Sequence, residues 1–122
     1  MNQPNENAWI DSFPGAITVT DETGQIIAMN ERAVEMFKSD GGKALIGKNV
    51  LDCHPEPARG KLEALFAASQ PNAYTVTQNG QTRLIYQTPY WVDGKMAGLV
   101  ELSVELPFDM PHFDRDHSST TG

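Results

Sequence analysis

The sequence predicts an α+β fold in which a five-stranded antiparallel sheet carries short helices inserted between its second and third strands. Two strand-like segments lie near the start of the chain, and three more follow residue 70. The residues between these two groups carry apolar positions at helical spacing. Tight-turn signals join the strands within each group, which makes neighbouring strands antiparallel. We therefore expect the helices to cover one face of the sheet.

The length and net charge of the chain exclude several classes of function. The chain has 122 residues, which is the size of one compact domain and excludes a two-domain enzyme. Hydrophobic residues make up 39% and charged residues 20%, a balance typical of globular proteins. Nine Lys and Arg against 16 Asp and Glu give a net charge of -7, which repels phosphate and anionic lipid. We expect no direct nucleic-acid partner and no membrane partner.

Cysteine content and the N-terminal residues indicate the compartment. Cys53 is the single cysteine and has no partner for an internal disulfide. The first residues lack the basic start and apolar run of a signal peptide, and no apolar stretch approaches the about 20 residues that cross a bilayer. The sequence therefore predicts a cytoplasmic protein of bacterial type.

The chain divides into three parts. Residues 1–8 are polar and are predicted to be a flexible leader, and residues 9–106 form the domain. Residues 107–122 form an acidic and aromatic tail that is either disordered or docked on the sheet through Phe108, Met110 and Phe113.

The first elements are an entry helix and a hairpin. Residues 9–13 have helical spacing that ends at a Pro-Gly pair. Residues 16–20 are rich in β-branched side chains, and residues 25–29 provide the partner strand. Residues 21–24, with Gly in the last position, suit a tight turn between them.

Helices are predicted in the middle of the chain. Asn30 suits an N-cap, and the helix it starts carries an apolar face that ends at Phe37. Residues 38–43 have loop composition, so two short helical pieces are favoured over one long helix. A longer helix is predicted from Pro57 to about Ser69.

Three strands close the domain. Residues 73–78 and 82–91 alternate in polarity around an Asn-Gly pair, which is a strong hairpin signal. Residues 92–95 form another turn. In residues 98–106, Val and Leu alternate with Glu and Ser, which predicts a buried apolar face and a solvated polar face.

Taken together, residues 13–37, 45–66 and 92–105 resemble the PAS domain family. The matching features are Asp-x-x-Gly-x-Ile at the first turn, Asn30 after the second strand, a helix ending in Phe37, and a later Leu-Ile-Gly-Lys. The resemblance implies a pocket between sheet and helices that holds haem, flavin, a small acid or no ligand. It also implies an outer sheet face that mediates dimers. A fold does not select the ligand, so its identity stays open.

Candidate pocket residues are inward positions of the strands and of the long helix, which are also the positions expected for ordinary core. Arg83, Tyr86 and Tyr90 stand out because a guanidinium or phenol can orient a carboxylate or carbonyl ligand. Alternatively, the two tyrosines pack across strands and Arg83 is a solvated strand end. The full set is Ile17, Val19, Met29, Met36, Phe37, Leu62, Leu65, Phe66, Arg83, Tyr86, Tyr90, Val100 and Leu102.

Cys53 and His54 are the candidates for a cofactor. A thiolate or an imidazole can bind haem iron axially if it faces the pocket. The alternative is a loop before the long helix, with a buried cysteine beside a hydrogen-bonded histidine. We predict no metal site, because His54, His112 and His117 lack the close spacing of zinc ligands.

Covalent flavin photochemistry is not expected. The photosensory PAS subgroup has a reactive cysteine after Gly-x-Asn, and here Gly47-Lys48-Asn49 is followed by Val50. Cys53 comes three residues later and does not replace that thiol.

The sequence therefore predicts a non-catalytic sensory module that binds a small molecule or cofactor and signals through a homodimer or a partner protein. Trp9, Ile10 and Phe13 are the interface candidates. One alternative is a haem- or metal-binding redox or gas sensor that uses Cys53 or His54. A second alternative is a small α+β enzyme acting on a hydrophobic acid or ketone, with Tyr86 or Asp52 as acid or base.

Overall fold

The computed structural model of the protein describes residues 8–52, 56–57, 60, 63–64 and 70–118. It contains one antiparallel sheet with the strand order β2-β1-β5-β4-β3, so the predicted fold class is confirmed. The strands are β1 (Ala16–Thr20), β2 (Ile26–Met29), β3 (Asn72–Gln78), β4 (Gln81–Val92) and β5 (Lys95–Glu105).

The described helices are short. They are α1 (Ala8–Ser12), α2 (Glu31–Met36), two 3₁₀ helices (Lys38–Asp40 and Gly42–Leu45) and α3 (Arg115–Ser118). Gly60, Glu63 and Ala64 are also helical. The rest of the predicted long helix, with Leu62, Leu65 and Phe66, lies outside the described residues, as do Cys53 and His54. Among the helices that the structure describes, none is both long and apolar enough to span a bilayer.

The predicted turns join the strands as expected. Asp21 Oδ1 accepts from the Thr23 amide at 2.9 Å, the Thr23 hydroxyl at 2.7 Å and the Gln25 amide at 3.0 Å, which fixes the β1–β2 turn. The Thr23 hydroxyl is the main cause that lowers the pKa of Asp21; desolvation opposes it, and the turn amides lower the pKa further. In the β3–β4 turn, Asn79 and Gly80 have φ of 55° and 75°, as a type I′ hairpin requires.

The free edge of β2 is covered by the chain that follows the 3₁₀ helices. The Ile26 amide donates to the Lys48 carbonyl at 2.8 Å, and Gly47 N donates to the Ile26 carbonyl at 2.8 Å. The Val50 amide donates to the Gly24 carbonyl at 2.8 Å. These bonds satisfy backbone groups that an edge strand leaves open, and they place residues 47–50 beside the sheet.

Asn30 connects three segments of the fold. It is only 2% exposed, and its Oδ1 caps α2 by accepting from the Ala33 amide at 3.0 Å, as the sequence predicts. The same oxygen accepts from the Ile17 amide at 2.9 Å. Its Nδ2 donates to the carbonyls of Ile10 and Gly15, both at 2.9 Å. One carboxamide therefore joins α1, the start of β1 and α2 with every donor and acceptor used.

Side chains alternate between the two faces of the sheet. The pair Thr18 and Glu101 lies opposite in register, next to the pair Ile17 and Leu102. Because the side-chain period of a strand is two, these pairs point to opposite sides. We call the side that carries Thr18, Gln87, Glu101 and Ser103 the inner face, and the other side the outer face.

The tail differs from the domain in its exposure. Residues 106–114 have no helix or strand, and α3 follows, where the sequence predicts no regular structure. Phe108, Met110 and Phe113 have 105%, 56% and 71% of their surface exposed. The guanidinium of Arg115 lies 5.7 Å from the centre of the Phe113 ring. In this structure the apolar side chains of the tail are exposed to solvent rather than buried against the sheet.

Replacing Asn30 tests its role as the connecting residue. We expect Asn30→Ala to lower the free energy of unfolding by about 3 kcal/mol, because buried backbone groups lose their partners. Urea denaturation measures the change. Asn79→Gly removes a carboxamide from an exposed turn that glycine tolerates, and should change stability by no more than about 0.5 kcal/mol. Equal effects of the two substitutions would contradict the assigned role.

Candidate functional site

A cavity of about 1110 Å³ lies between the inner face of the sheet and the segment that connects β2 to β3. Strands β1, β3, β4 and β5 form one wall of the cavity. The described lining residues from the connecting segment and β2 are Ile26, Met29, Met36, Phe37, Asp40, Leu45, Lys48, Val50 and Pro57. Those from the other strands are Thr18, Thr20, Asn72, Tyr74, Val76, Arg83, Ile85, Gln87, Leu99, Val100, Glu101 and Ser103.

The side opposite the sheet is mostly apolar. Met29, the last residue of β2, precedes the N-cap Asn30, and Met36 and Phe37 lie at the C-terminal end of α2, so the three side chains flank this short helix. Leu45 ends the second 3₁₀ helix. Unbranched Met side chains adapt to irregular shapes, so this wall suits an apolar molecular body.

A hydrogen-bonded row of polar side chains lies on the sheet side of the cavity. Asn72, Gln87 and Glu101 lie opposite one another on β3, β4 and β5. Asn72 Nδ2 donates to Gln87 Oε1 at 3.1 Å, and Gln87 Nε2 donates to Glu101 Oε2 at 2.7 Å. The two amide orientations are fixed by this order, because each amide donates through nitrogen and accepts through oxygen. The row ends on a carboxylate at the cavity wall.

Buried polar groups are concentrated on this wall. Among the residues that the structure describes, the buried polar side chains are Thr20, Asn30, Gln87 and Ser103, and all but Asn30 line the cavity. Ser103 is 4% exposed, and its Oγ has no hydrogen-bond partner. A buried hydroxyl without a partner is costly, so the wall offers an unused hydrogen-bonding group.

Charged side chains complete the cavity. Asp40 and Lys48 are exposed on the connecting segment, and Arg83 lies on β4 opposite Glu105. Burial raises the pKa of Tyr74 above its ordinary value of 10.0, and the negative charge of Glu101 raises it further. Glu101 therefore acts electrostatically on a tyrosine that lines the same cavity.

The predicted pocket residues fall into three groups. Met29, Met36, Phe37, Arg83 and Val100 line the cavity. Leu62, Leu65 and Phe66 lie outside the described residues. The structure places the remaining five away from the lining, and these are Ile17, Val19, Tyr86, Tyr90 and Leu102.

Strand register explains the last group. Tyr86 pairs with Leu102, and Leu102 pairs with Ile17, so these three lie in one row of the outer face. The Tyr90 hydroxyl donates to the Thr20 carbonyl at 3.1 Å, at the end of the sheet. The alternation in each strand was visible in the sequence, but the face that meets the cavity was not.

Sequence reasoning missed Glu101, Ser103 and Gln87. In β5, the prediction that the Glu and Ser positions face solvent is wrong for Glu101 and Ser103, which line the cavity. The reason is that the connecting segment covers the more polar face of the sheet, so the polar positions are not the solvated ones. The signal available in the sequence was that polar residues occupy facing positions on three neighbouring strands.

The other candidates lie apart from the cavity. Trp9 is 68% exposed on α1, whereas Ile10 and Phe13 are half-buried. Asp52 is exposed in a turn and Tyr86 lies on the outer face, so neither lines the cavity. Within the described ranges, no three His, Cys, Asp or Glu side chains are grouped as metal ligands would be.

The link between Glu101 and Tyr74 can be measured by titration. We expect Glu101→Gln to lower the pKa of Tyr74 towards 10.0 but not to reach it, because burial, the larger cause, is unchanged. The phenolate absorbance of Tyr74 is followed in a Tyr86→Phe/Tyr90→Phe background, in which it is the single tyrosine.

The sign of the stability effect follows from the raised pKa. The folded protein favours the neutral phenol of Tyr74, so this contribution is present below pH 10 and is lost as the pH rises through the folded pKa. Glu105→Gln, an equal charge change at an exposed position of β5, is the control and should leave the titration unchanged. A titration that is also unchanged in Glu101→Gln would contradict the assigned interaction.

Comparison with solved structures shows the same fold in bacterial proteins. The PAS domain of Bordetella pertussis BvgS is 23% identical, with 94% of this chain and 89% of that chain covered and a TM-score of 0.59. A sensory box sensor histidine kinase from Vibrio cholerae is 17% identical, with 81% and 87% covered and a TM-score of 0.57. VqmA of Vibrio cholerae is 12% identical with a TM-score of 0.67, and the match covers 88% of this chain and 54% of VqmA.

Sequence comparison identifies the family. No curated protein gives a significant sequence match. The family model of the PAS fold matches residues 7–105, which is most of the chain and includes the sheet, α2 and the cavity wall. The protein therefore belongs to the PAS family.

Proposed function

We propose that this protein is a sensory PAS module that binds a small organic molecule in the cavity and passes the signal on by contact with a second copy or a partner protein. The observation that carries the proposal is the cavity itself, with its apolar wall on the connecting segment and its polar wall on the sheet. A cytoplasmic location stays a prediction of the sequence.

Size and lining both support binding of a small molecule. Cavities that hold drug-sized ligands have volumes of about 300–1,000 Å³ and combine a mainly apolar lining with a few fixed polar groups. At about 1110 Å³ this cavity is large enough, and Gln87, Glu101 and Ser103 supply the polar groups. The fold also agrees with one precedent, since a structure of VqmA was solved with DPO bound.

The outer face of the sheet and α1 carry apolar surface, which supports signalling by direct contact with another protein. Tyr86 is 38% exposed on that face, and Ile17 and Leu102 beside it are half-buried. Trp9 adds an exposed indole from α1. Apolar surface of this kind suits a symmetric interface between two copies. VqmA, a structural neighbour, is described as a dimer.

The enzyme alternative has less support. Its candidate acid and base, Tyr86 and Asp52, do not line the cavity, so neither reaches a molecule bound there. The haem alternative depends on Cys53 and His54, which lie outside the described residues. An absorption spectrum with a Soret band that is lost in His54→Ala or Cys53→Ala would favour haem over the proposal made here.

Blocking the cavity tests ligand binding. We expect small-molecule fragments, screened by NMR on the purified protein, to bind the wild type and to bind Ile85→Trp at least about tenfold more weakly, because the indole fills the cavity. The control is Leu84→Trp, which places the same side chain on the next residue, opposite Val104 on the outer face. Binding of no fragment, or equal binding to both variants, would contradict the proposal.

The interface is tested by the oligomeric state. We expect light scattering after size exclusion to give a dimer for the wild type and a monomer for Trp9→Glu, since a charge in an apolar contact is costly. Trp91→Glu is the matched control, because Trp91 is 52% exposed but lies at the β4–β5 hairpin. A monomeric wild type at high concentration, or loss of the dimer in both variants, would contradict an interface through α1.

A further inference from the structure

We infer that the ligand of the cavity carries a positively charged, hydrogen-bond-donating head, such as a protonated amine, joined to an apolar body. The inference rests on the proposed function, because it names the chemical class that the same cavity would bind. Four features of the cavity support it: a carboxylate that has no ion-pair partner among the described residues, a buried hydroxyl without a partner, a fixed amide, and the placement of the arginine.

Glu101 offers an unused carboxylate oxygen. Its Oε2 accepts from Gln87 at 2.7 Å, and among the described residues no Lys or Arg forms an ion pair with it. The side chain is half-buried at the cavity wall. A carboxylate that has lost part of its hydration is stabilised by a cationic donor, so an ammonium head satisfies it.

Ser103 provides a second group next to Glu101. The two residues are separated by one position on β5 and face the same side, so their Cα atoms lie about 7 Å apart. Ser103 Oγ is buried without a partner. A hydroxyl can accept from the same head or donate to a neighbouring atom of the ligand, which removes the cost of its isolation.

Gln87 cannot change roles to suit a different head. Its Oε1 accepts from Asn72 and its Nε2 donates to Glu101, so turning the amide over would break both bonds. The group that ends the row towards the cavity is therefore the acceptor Glu101. A ligand that is itself only an acceptor finds no complementary group at this point.

Arg83 is paired with Glu105 and not with Glu101. It lies opposite Glu105, four residues from Glu101 on β5, which is about 13 Å along the strand. An anionic head beside Glu101 would meet a like charge, and of the described cations that line the cavity, Arg83 lies opposite Glu105 and Lys48 lies on the connecting segment. Met36 and Phe37 on the opposite wall, with Met29 at the end of β2, suit the apolar body.

The experiment uses three probes that share a phenyl-alkyl body: 2-phenylethylamine, 3-phenylpropionate and 2-phenylethanol. NMR titration of the wild-type protein gives each dissociation constant. We expect 2-phenylethylamine to bind at least about tenfold more tightly than either of the other two, because a hydrogen bond to a charged partner exceeds a neutral one by about that factor.

Three variants locate the preference. In Glu101→Gln the advantage of 2-phenylethylamine should disappear, whereas in Glu105→Gln, which has the same charge change on the same strand, it should persist. Ser103→Ala should fold at least as stably as the wild type, since it removes an unpaired hydroxyl, yet should bind 2-phenylethylamine more weakly.

The outcomes separate this inference from the proposed function. Equal or tighter binding of 3-phenylpropionate or 2-phenylethanol to the wild type, or an amine preference that survives in Glu101→Gln, would overturn the inference and leave small-molecule binding intact. The inference also fails if none of the three probes binds while other fragments do. If neither the probes nor any fragment binds, the proposed function fails with it.

Discussion

The fold depends on one buried carboxamide. Asn30 stands where the first hairpin ends and the connecting segment begins, and its four hydrogen bonds hold α1, β1 and α2 together. Because these bonds are buried, they are stronger than the same bonds in water, and losing one partner leaves the others unsatisfied. The direction of α2, and with it the position of Met36 and Phe37 over the sheet, follows from this anchor.

The second constraint is that the two faces of the sheet differ in chemistry. Its outer face presents Ile17, Tyr86 and Leu102, and its inner face presents Gln87, Glu101 and Ser103. A wholly apolar inner face would offer a bound molecule no hydrogen-bonding group. The polar row instead keeps donors and acceptors at the wall of a cavity, where the hydrogen bonds that they leave open are available to a bound molecule.

The sequence predicted the fold through local signals that tertiary contacts left unchanged. Asn-Gly at residues 79–80 and Asp-Gly at residues 93–94 adopt the positive φ that hairpin turns need. The ends of the strands that they join could therefore be predicted from the sequence. The site was harder to predict. Met29, Met36 and Phe37, predicted as inward positions, line the cavity, whereas in β5 the predicted Val100 lines it together with Glu101 and Ser103, which the alternation assigned to solvent.

The sequence by itself determined the order of the elements, their turns and the cap at Asn30, because each of these depends on residues close together in the chain. Only the tertiary structure decided which face of the sheet meets the connecting segment, and that Asn72, Gln87 and Glu101 form one hydrogen-bonded chain. Those residues come from three strands whose hairpin turns set the register, but no local pattern in a single sequence shows which face of these strands the connecting segment covers.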